Sequence, residues 1–278
     1  MFFLAEVCSE TYGSISFISI NDMSSPKVSV VTVCYHAVDT IEKTILSVVH
    51  QTYQNIEYIV IDGGSKDGTV DIVSKYRDRI AYFVSERDHG IYDAMNKAIQ
   101  VATGDWINFM NAGDLFATDH TIDDIFGQEA DYAGRDVIYG DTLYNYNGSP
   151  ITYKAKPLST LDYRMAFCHQ SSYVRTALMK ASGFDLRYRF VADYAFFHHL
   201  YSTGHSFRYL PIVMTIYSLE GGYSHSNILK MMREEHLISQ KRDLKWFAHL
   251  IYTYQSFLLH RIMTPGILNK LRKLFTFS

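Results

Sequence analysis

Hydrophobic and polar positions in the first 110 residues alternate between two periods. Val28–Val33 (VSVVTV) is an unbroken run of mostly β-branched residues, the pattern of a strand buried on both faces of a parallel sheet. Asp39–Gln51 then carries Ile41, Ile45, Val48 and Val49 at helical spacing. Tyr58–Ile61 (YIVI) predicts a second buried strand, followed by Asp62-Gly63-Gly64-Ser65, Asp67-Gly68-Thr69 and a helix through Val70, Ile72, Val73 and Tyr76. Ile80–Val84 reads as a third strand, Asp93–Ala102 as a helix and Trp106–Met110 as a fourth strand. Strands alternating with helices predict βαβ units, hence an α/β fold with a doubly wound, mostly parallel sheet. Ligands of such sheets bind beyond the carboxyl ends of the strands.

The second half changes texture. Asp136–Tyr144 and Ile151–Lys154 read as a strand pair around the turn Asn147-Gly148. Thr176–Ala181 and Ala192–Ser202 are short helices, Phe207–Tyr217 is strand-like, and Ile228–Asp243 is a helix of mixed charge. From Trp246 the apolar positions Phe247, Leu250, Ile251, Tyr254, Phe257 and Leu258 recur at helical spacing, and Lys270, Arg272 and Lys273 close the chain. The expected organisation is a weakly ordered leader (1–26), an α/β domain (27–225) and a C-terminal helical extension (226–278).

Composition narrows the class. The 278 residues carry a net charge of -3, which excludes the global basic field of nucleic-acid binders. Three scattered cysteines, Cys8, Cys34 and Cys168, make neither a disulfide framework nor a zinc pair, and fit a reducing compartment. The N-terminus lacks the charged start of a signal peptide, and no segment reaches the roughly 18–20 apolar residues that span a bilayer. A cytoplasmic protein is expected, at the inner face of the membrane if the amphipathic, basic tail lies on anionic lipid. The same stripe also suits packing on its own domain or on a partner helix.

The acidic residues fall at strand ends. Asp62 closes the second strand and Asn111-Ala112-Gly113-Asp114 the fourth, so both face one cleft. Singly, each also reads as a turn or helix-capping residue. In order, however, the stretches VSVVTVCYHAVDTIEKTILSVVHQTYQNIEYIVIDGGSKDGT, SERDHGIYDAMNKAIQVATGDWINFMNAGDLF, HQSSYVR and GFDLRYRFVADYAFF resemble the motif blocks of the family 2 glycosyltransferases, which have the GT-A fold. The resemblance runs from about Lys27 to about Ser224.

That resemblance implies an inverting transfer of sugar from a nucleotide-sugar, UDP-linked by family frequency, to a hydroxyl of a glycan or lipid-linked acceptor in surface polysaccharide synthesis. It implies that Thr32 and Tyr35 contact the nucleotide, Asp62 the pyrimidine, and Asp88 the ribose and sugar. Asp114 would face a divalent cation, Mn2+ or Mg2+, although two or three acids usually share this loop. Asp193 matches the catalytic base; Asp185 is its nearest competitor and reads as structural. Asn111, His169 and Gln170 are implied on the donor or acceptor side, and Gly221-Gly222-Tyr223-Ser224 in a loop over the diphosphate. The thinned acidic loop also suits a catalytically degenerate relative that binds nucleotide-sugar or glycan. A nucleotidyltransferase is disfavoured because Cys34-Tyr35-His36-Ala37 has neither Gly nor Lys, and a processive synthase because its Gln-x-x-Arg-Trp signature is absent.

Overall fold

The computed structural model describes residues 25–146, 149–218 and 228–239, with positions 243, 244, 246, 247 and 251. In chain order the elements are β1 (Val28–Cys34), α1 (Ile41–Val49), β2 (Ile56–Asp62), α2 (Thr69–Ser74), β3 (Tyr82–Ser85), α3 (Ile91–Val101), β4 (Trp106–Phe109), β5 (Leu115–Phe116), α4 (Thr121–Phe126) and α5 (Glu129–Tyr132). There follow β6 (Val137–Tyr146), β7 (Ser149–Tyr153), β8 (Ser172–Arg175), α6 (Thr176–Ser182), α7 (Ala192–Ser202), β9 (Phe207–Ser218) and α8 (Ile228–Ser239). The leader 1–22, the turn Asn147-Gly148, the loop 221–224 and most of the tail lie outside the described residues.

The strands form one sheet in the order β3-β2-β1-β4-β8-β6-β9-β5, with β7 on β6. β1 pairs in parallel with β2 and β4, and β2 with β3, as the alternating pattern predicts. All seven residues of β1 are buried, because helices cover both faces. Alternation sends Val31, Val33, Ile59 and Ile61 to one core with Met95, Ile99, Phe196 and Phe197. It sends Val28, Val30, Tyr58 and Val60 to the other, with Ile41, Ile45 and Phe126. Each such side chain contributes about 1.5–3 kcal/mol over leaving it in water.

Beyond β4 the sheet becomes mixed. β8 runs antiparallel to both β4 and β6, and β6 then pairs in parallel with β9. The sequence pattern does not reveal β8, because four residues, SYVR, are too short for a period. The β6–β7 pair forms as expected, antiparallel with Tyr146 opposite Ser149. β1, β2 and β4 all end at the same edge, so the loops after them converge there. The Gly63 N–H donates to Cys34 O (2.9 Å) and the Ala112 N–H to Val33 O (3.1 Å), lacing the three together.

Candidate active site

Two of the expected ligand contacts are spent on the fold. Thr32 is fully buried; its hydroxyl donates to Met110 O (2.8 Å) and shares a 3.0 Å contact with the Tyr58 hydroxyl. It stands mid-strand and enclosed. Asp62 has no exposed surface either. Oδ2 accepts from the N–H groups of Gly64 (3.0 Å) and Ser65 (2.8 Å) and from the Ser85 hydroxyl (2.6 Å). Oδ1 accepts from the Ser65 hydroxyl (2.5 Å) and the Cys34 thiol (3.5 Å). Burial pushes its pKa up, but these donors prevail and hold it below the ordinary value. Asp62 therefore organises the turn after β2, with both carboxylate oxygens engaged within the protein.

Gly63 of that turn packs closely under two of the expected residues. A Cβ there would lie 2.6 Å from Asp88 Oδ2 and 3.1 Å from the Tyr35 ring. The expected residues Tyr35 and Asp88 thus both lie against a position where a larger side chain would make Asp88 shift. Tyr35 is 63% exposed, and the neighbouring His36 N–H is fixed by the Ser65 hydroxyl (2.8 Å). An exposed aromatic ring beside a carboxylate suits a flat, polar base and its ribose.

The other residues come together as one bonded chain. Asp193 stands in the first turn of α7, 17% exposed at its side chain. Its Oδ1 accepts from the Tyr92 hydroxyl (2.8 Å) on α3 and from the Tyr194 N–H (2.9 Å), and its Oδ2 lies 3.1 Å from His169 Nδ1. Burial raises its pKa, and the bonds from His169, Tyr92 and Tyr194 outweigh it, so the group stays ionised below the usual range. His169 Nε2 in turn lies 3.2 Å from Asn111 Nδ2. The imidazole thus bridges Asp193 and Asn111 through its two ring nitrogens. Next in the chain, the Gln170 amide donates to Asp114 Oδ2 (2.7 Å) and accepts from the Cys168 thiol. One short turn, His169–Ser171, therefore joins Asp193 to the loop after β4. Asp185, by contrast, is engaged with Arg187 in its own turn.

Asp114 has the opposite electrostatics from Asp193. Nearly buried at 5% exposure, its carboxyl is pushed up to about 7 by burial, with only partial relief from Gln170 and His169. Asn111 Oδ1 is buried with no hydrogen-bond partner among the described residues. A poorly solvated carboxylate and an orphaned amide oxygen in one loop are hard oxygen donors of the kind Mg2+ and Mn2+ take. Among the described residues no cluster of three His, Cys, Asp or Glu could enclose a metal, so a cation here would need further oxygens from diphosphate and water.

Two supports escape a reading of the sequence. Tyr92 sits on the core-facing stripe of α3, and nothing local shows that its hydroxyl meets a carboxylate 101 residues later. Glu234 on α8 accepts from the N–H groups of Arg189 (3.0 Å), Phe190 (2.9 Å) and Val191 (3.3 Å). The segment leading into Asp193 is thereby clamped, since Tyr92 also lies 3.2 Å from Phe190 O.

Comparison with known proteins agrees with this architecture. A profile described as glycosyl transferase family 2 matches residues 29–186, more than half of the chain. A PGL/p-HBAD biosynthesis glycosyltransferase of Mycobacterium bovis (strain BCG / Pasteur 1173P2) is 28% identical over 218 residues, covering 75% of this chain and 83% of that one. Another glycosyltransferase, from Mycobacterium tuberculosis (strain ATCC 25618 / H37Rv), is 32% identical over 180 residues, 62% of this chain and 68% of its own. Among solved structures, Staphylococcus aureus TarS in complex with UDP-GlcNAc has a TM-score of 0.62 at 20% identity, covering 84% of this chain and 71% of that one. The mannosyltransferase PcManGT from Pyrobaculum calidifontis, in complex with GDP-Man and Mn2+, has a TM-score of 0.61 at 16% identity over 92% of this chain and 82% of its own. The chain belongs to glycosyltransferase family 2 and has the GT-A fold.

Proposed function

We propose that this family 2 glycosyltransferase moves a sugar, with inversion, from a nucleotide-sugar to a hydroxyl of a glycan or lipid-linked acceptor, using Asp193 as base. A UDP-sugar is the expected donor, held by Tyr35, Gly63 and Asp88. The observation that carries the reading is the bonded path Asp193–His169–Asn111, flanked by Gln170–Asp114, which ties an ionised carboxylate to a loop of hard oxygen donors.

In this mechanism the acceptor hydroxyl gives its proton to Asp193 as its oxygen bonds to the anomeric carbon. The bond from that carbon to the diphosphate breaks, and its electron pair leaves with the nucleotide. Tyr92 and His169 keep Asp193 deprotonated and aimed. Asp114 and Asn111 Oδ1 would hold Mn2+ or Mg2+, which supplies positive charge against the leaving diphosphate. TarS and PcManGT, of the same fold, were solved with UDP-GlcNAc and with GDP-Man and Mn2+ respectively, which supports a nucleotide-sugar and a cation.

The test pairs binding with turnover. Thermal shifts are recorded with UDP-, GDP-, TDP- and CMP-sugars, with and without manganese, because a ligand of the folded state raises the melting temperature by mass action. Asp193→Asn should keep the donor shift and lose roughly 10²–10⁴-fold in transfer. Near-normal turnover in that variant overturns the assignment.

Peripheral membrane contact rests on separate observations. Leu229, Leu237, Leu244, Phe247 and Ile251 are exposed along α8 and beyond, and the sequence after them carries Lys270, Arg272 and Lys273. No helix among the described residues is long and apolar enough to cross a membrane. Cosedimentation with anionic but not zwitterionic vesicles is the expected result.

A further inference from the structure

One sheet face leads away from the transfer centre and has no assigned use. Thr142 on β6 and Thr215 on β9 both bond the Ser171 hydroxyl (2.6 Å each), directly after Gln170 in the chain. Register pairs Thr142 with Tyr153 and Thr215, and Tyr144 with Tyr217, so all five side chains share that face. The rings of Tyr144 and Tyr217 are 5.4 Å apart, as are those of Tyr144 and Tyr153. The result is an aromatic row across three strands that starts beside Gln170. Each of the three tyrosines is half-buried.

The row ends at two cations. Lys156 Nζ lies 5.4 Å from the Tyr153 ring centroid. The Lys156 N–H donates to Ala166 O (2.8 Å), which brings this lysine against the segment that carries Arg164. Both side chains are half-buried, and neither makes an ion pair within 4.0 Å among the described residues. Burial and the Arg164 charge lower the Lys156 pKa to about 8, while Glu235, the carboxylate near both, is itself pushed up to about 7 by burial. The two positive charges are thus left undercompensated.

We propose that this face is the acceptor platform and that the acceptor is an acidic glycan. Its saccharide rings pack on Tyr217, Tyr144 and Tyr153, and a phosphate or carboxylate on it is received by Lys156 and Arg164. Tyrosine suits a saccharide, because the ring packs on C–H faces and the hydroxyl bonds the sugar's own. Guanidinium and ammonium groups together suit an oxyanion. The assignment rests on glycosyl transfer at Asp193.

Titration calorimetry with the full chain, saturated with nucleotide, tests it using three probes: neutral maltotriose, trigalacturonate and glucose 6-phosphate. At least one acidic probe should bind about tenfold more tightly than maltotriose, as one charge-assisted bond provides. Lys156→Gln with Arg164→Gln should erase that advantage, while Tyr153→Ala should weaken acidic and neutral probes alike. The preferred acidic probe identifies the group as phosphate or carboxylate. Equal or tighter binding of maltotriose, or acidic binding unchanged in the Lys156→Gln, Arg164→Gln protein, overturns the proposal. Donor binding is read separately by thermal shift, so saccharide failure with an intact donor shift overturns the platform alone, and loss of the donor shift in the wild type counts against glycosyl transfer.

Discussion

Asp114→Asn is expected to stabilise the metal-free protein while abolishing metal-assisted donor binding. In the fold the Asp114 carboxyl titrates at about 7 instead of 3.8 because burial disfavours its charge. Between these values the native state holds a proton that the unfolded chain has released, so stability falls as pH rises from about 4 through 7. A gap of about 3 in pKa, at roughly 1.4 kcal/mol each, makes the full cost about 4 kcal/mol above pH 7. Asparagine removes that cost and keeps an oxygen for Gln170, but its own NH₂ needs a partner, a loss of about 1–2 kcal/mol. The net gain is about 2–3 kcal/mol, a rise in Tm of roughly 5–10 °C for a domain of this size. Calorimetry in EDTA should show wild type losing stability from pH 4 to pH 8 relative to the variant, with the two curves crossing near pH 5 and the variant the less stable by about 1–2 kcal/mol near pH 4. With manganese and a UDP-sugar, only wild type should shift. A variant less stable than wild type at pH 8 in EDTA, or a difference that does not shrink toward pH 4, would refute the reasoning.

Other substitutions probe the supports. Tyr92→Phe removes a donor to Asp193, so it should cost about 1 kcal/mol and move the acid limb of the kcat–pH profile upward, since a lost bond lets the carboxyl pKa rise. Asp193 is depressed in the fold, so its stabilisation holds at neutral pH, begins to fade at the unfolded-state pKa and is gone once pH has fallen through the native pKa; in Tyr92→Phe the loss should be smaller and complete at higher pH. Glu234→Ala frees three N–H groups ahead of α7, and should lower kcat with donor KM unchanged at a stability cost of roughly 1–3 kcal/mol. Gly63→Ala forces a methyl against Asp88, and should weaken donor binding about tenfold with little change in Tm, read by calorimetric titration with UDP.

The parallel half of the fold was legible because its strands are long, β-branched and buried on both faces, as in VSVVTV and YIVI. The mixed half was only partly legible. The helix 192–202 and the β6–β7 pair announce themselves by period, whereas β8 has four residues and its place is fixed by partners on either side. In the site, motif order located Tyr35, Asp88, Asp114, His169, Gln170 and Asp193 near converging loops, but not what each side chain does there. The resemblance implied a pyrimidine contact for Asp62, at the end of the second strand. Yet Gly64, Ser65 and Ser85 engage its carboxylate within the turn. Contacts between distant segments, such as Tyr92 with Asp193 and Glu234 with 189–191, have no local signature at all.

Three carboxylates with the same intrinsic chemistry are separated here by the donors around them. Asp62 accepts from five groups and is sealed; its charge is satisfied and it has no lone pair left to offer a ligand. Asp193 accepts from three, enough to keep it ionised, while 17% of its side chain remains exposed to meet an acceptor hydroxyl. Asp114 receives one side-chain bond in a nearly buried setting, too little to hold a proton off at neutral pH without a cation. Had Asp114 been as well supplied with donors as Asp62, a divalent ion would gain little by binding it. Had Asp193 been as poorly supplied as Asp114, it would be protonated when an acceptor arrived and could not act as a base. The proposed division into fold, base and ion site rests on hydrogen-bond supply and burial, as it does wherever neighbouring acids take different roles.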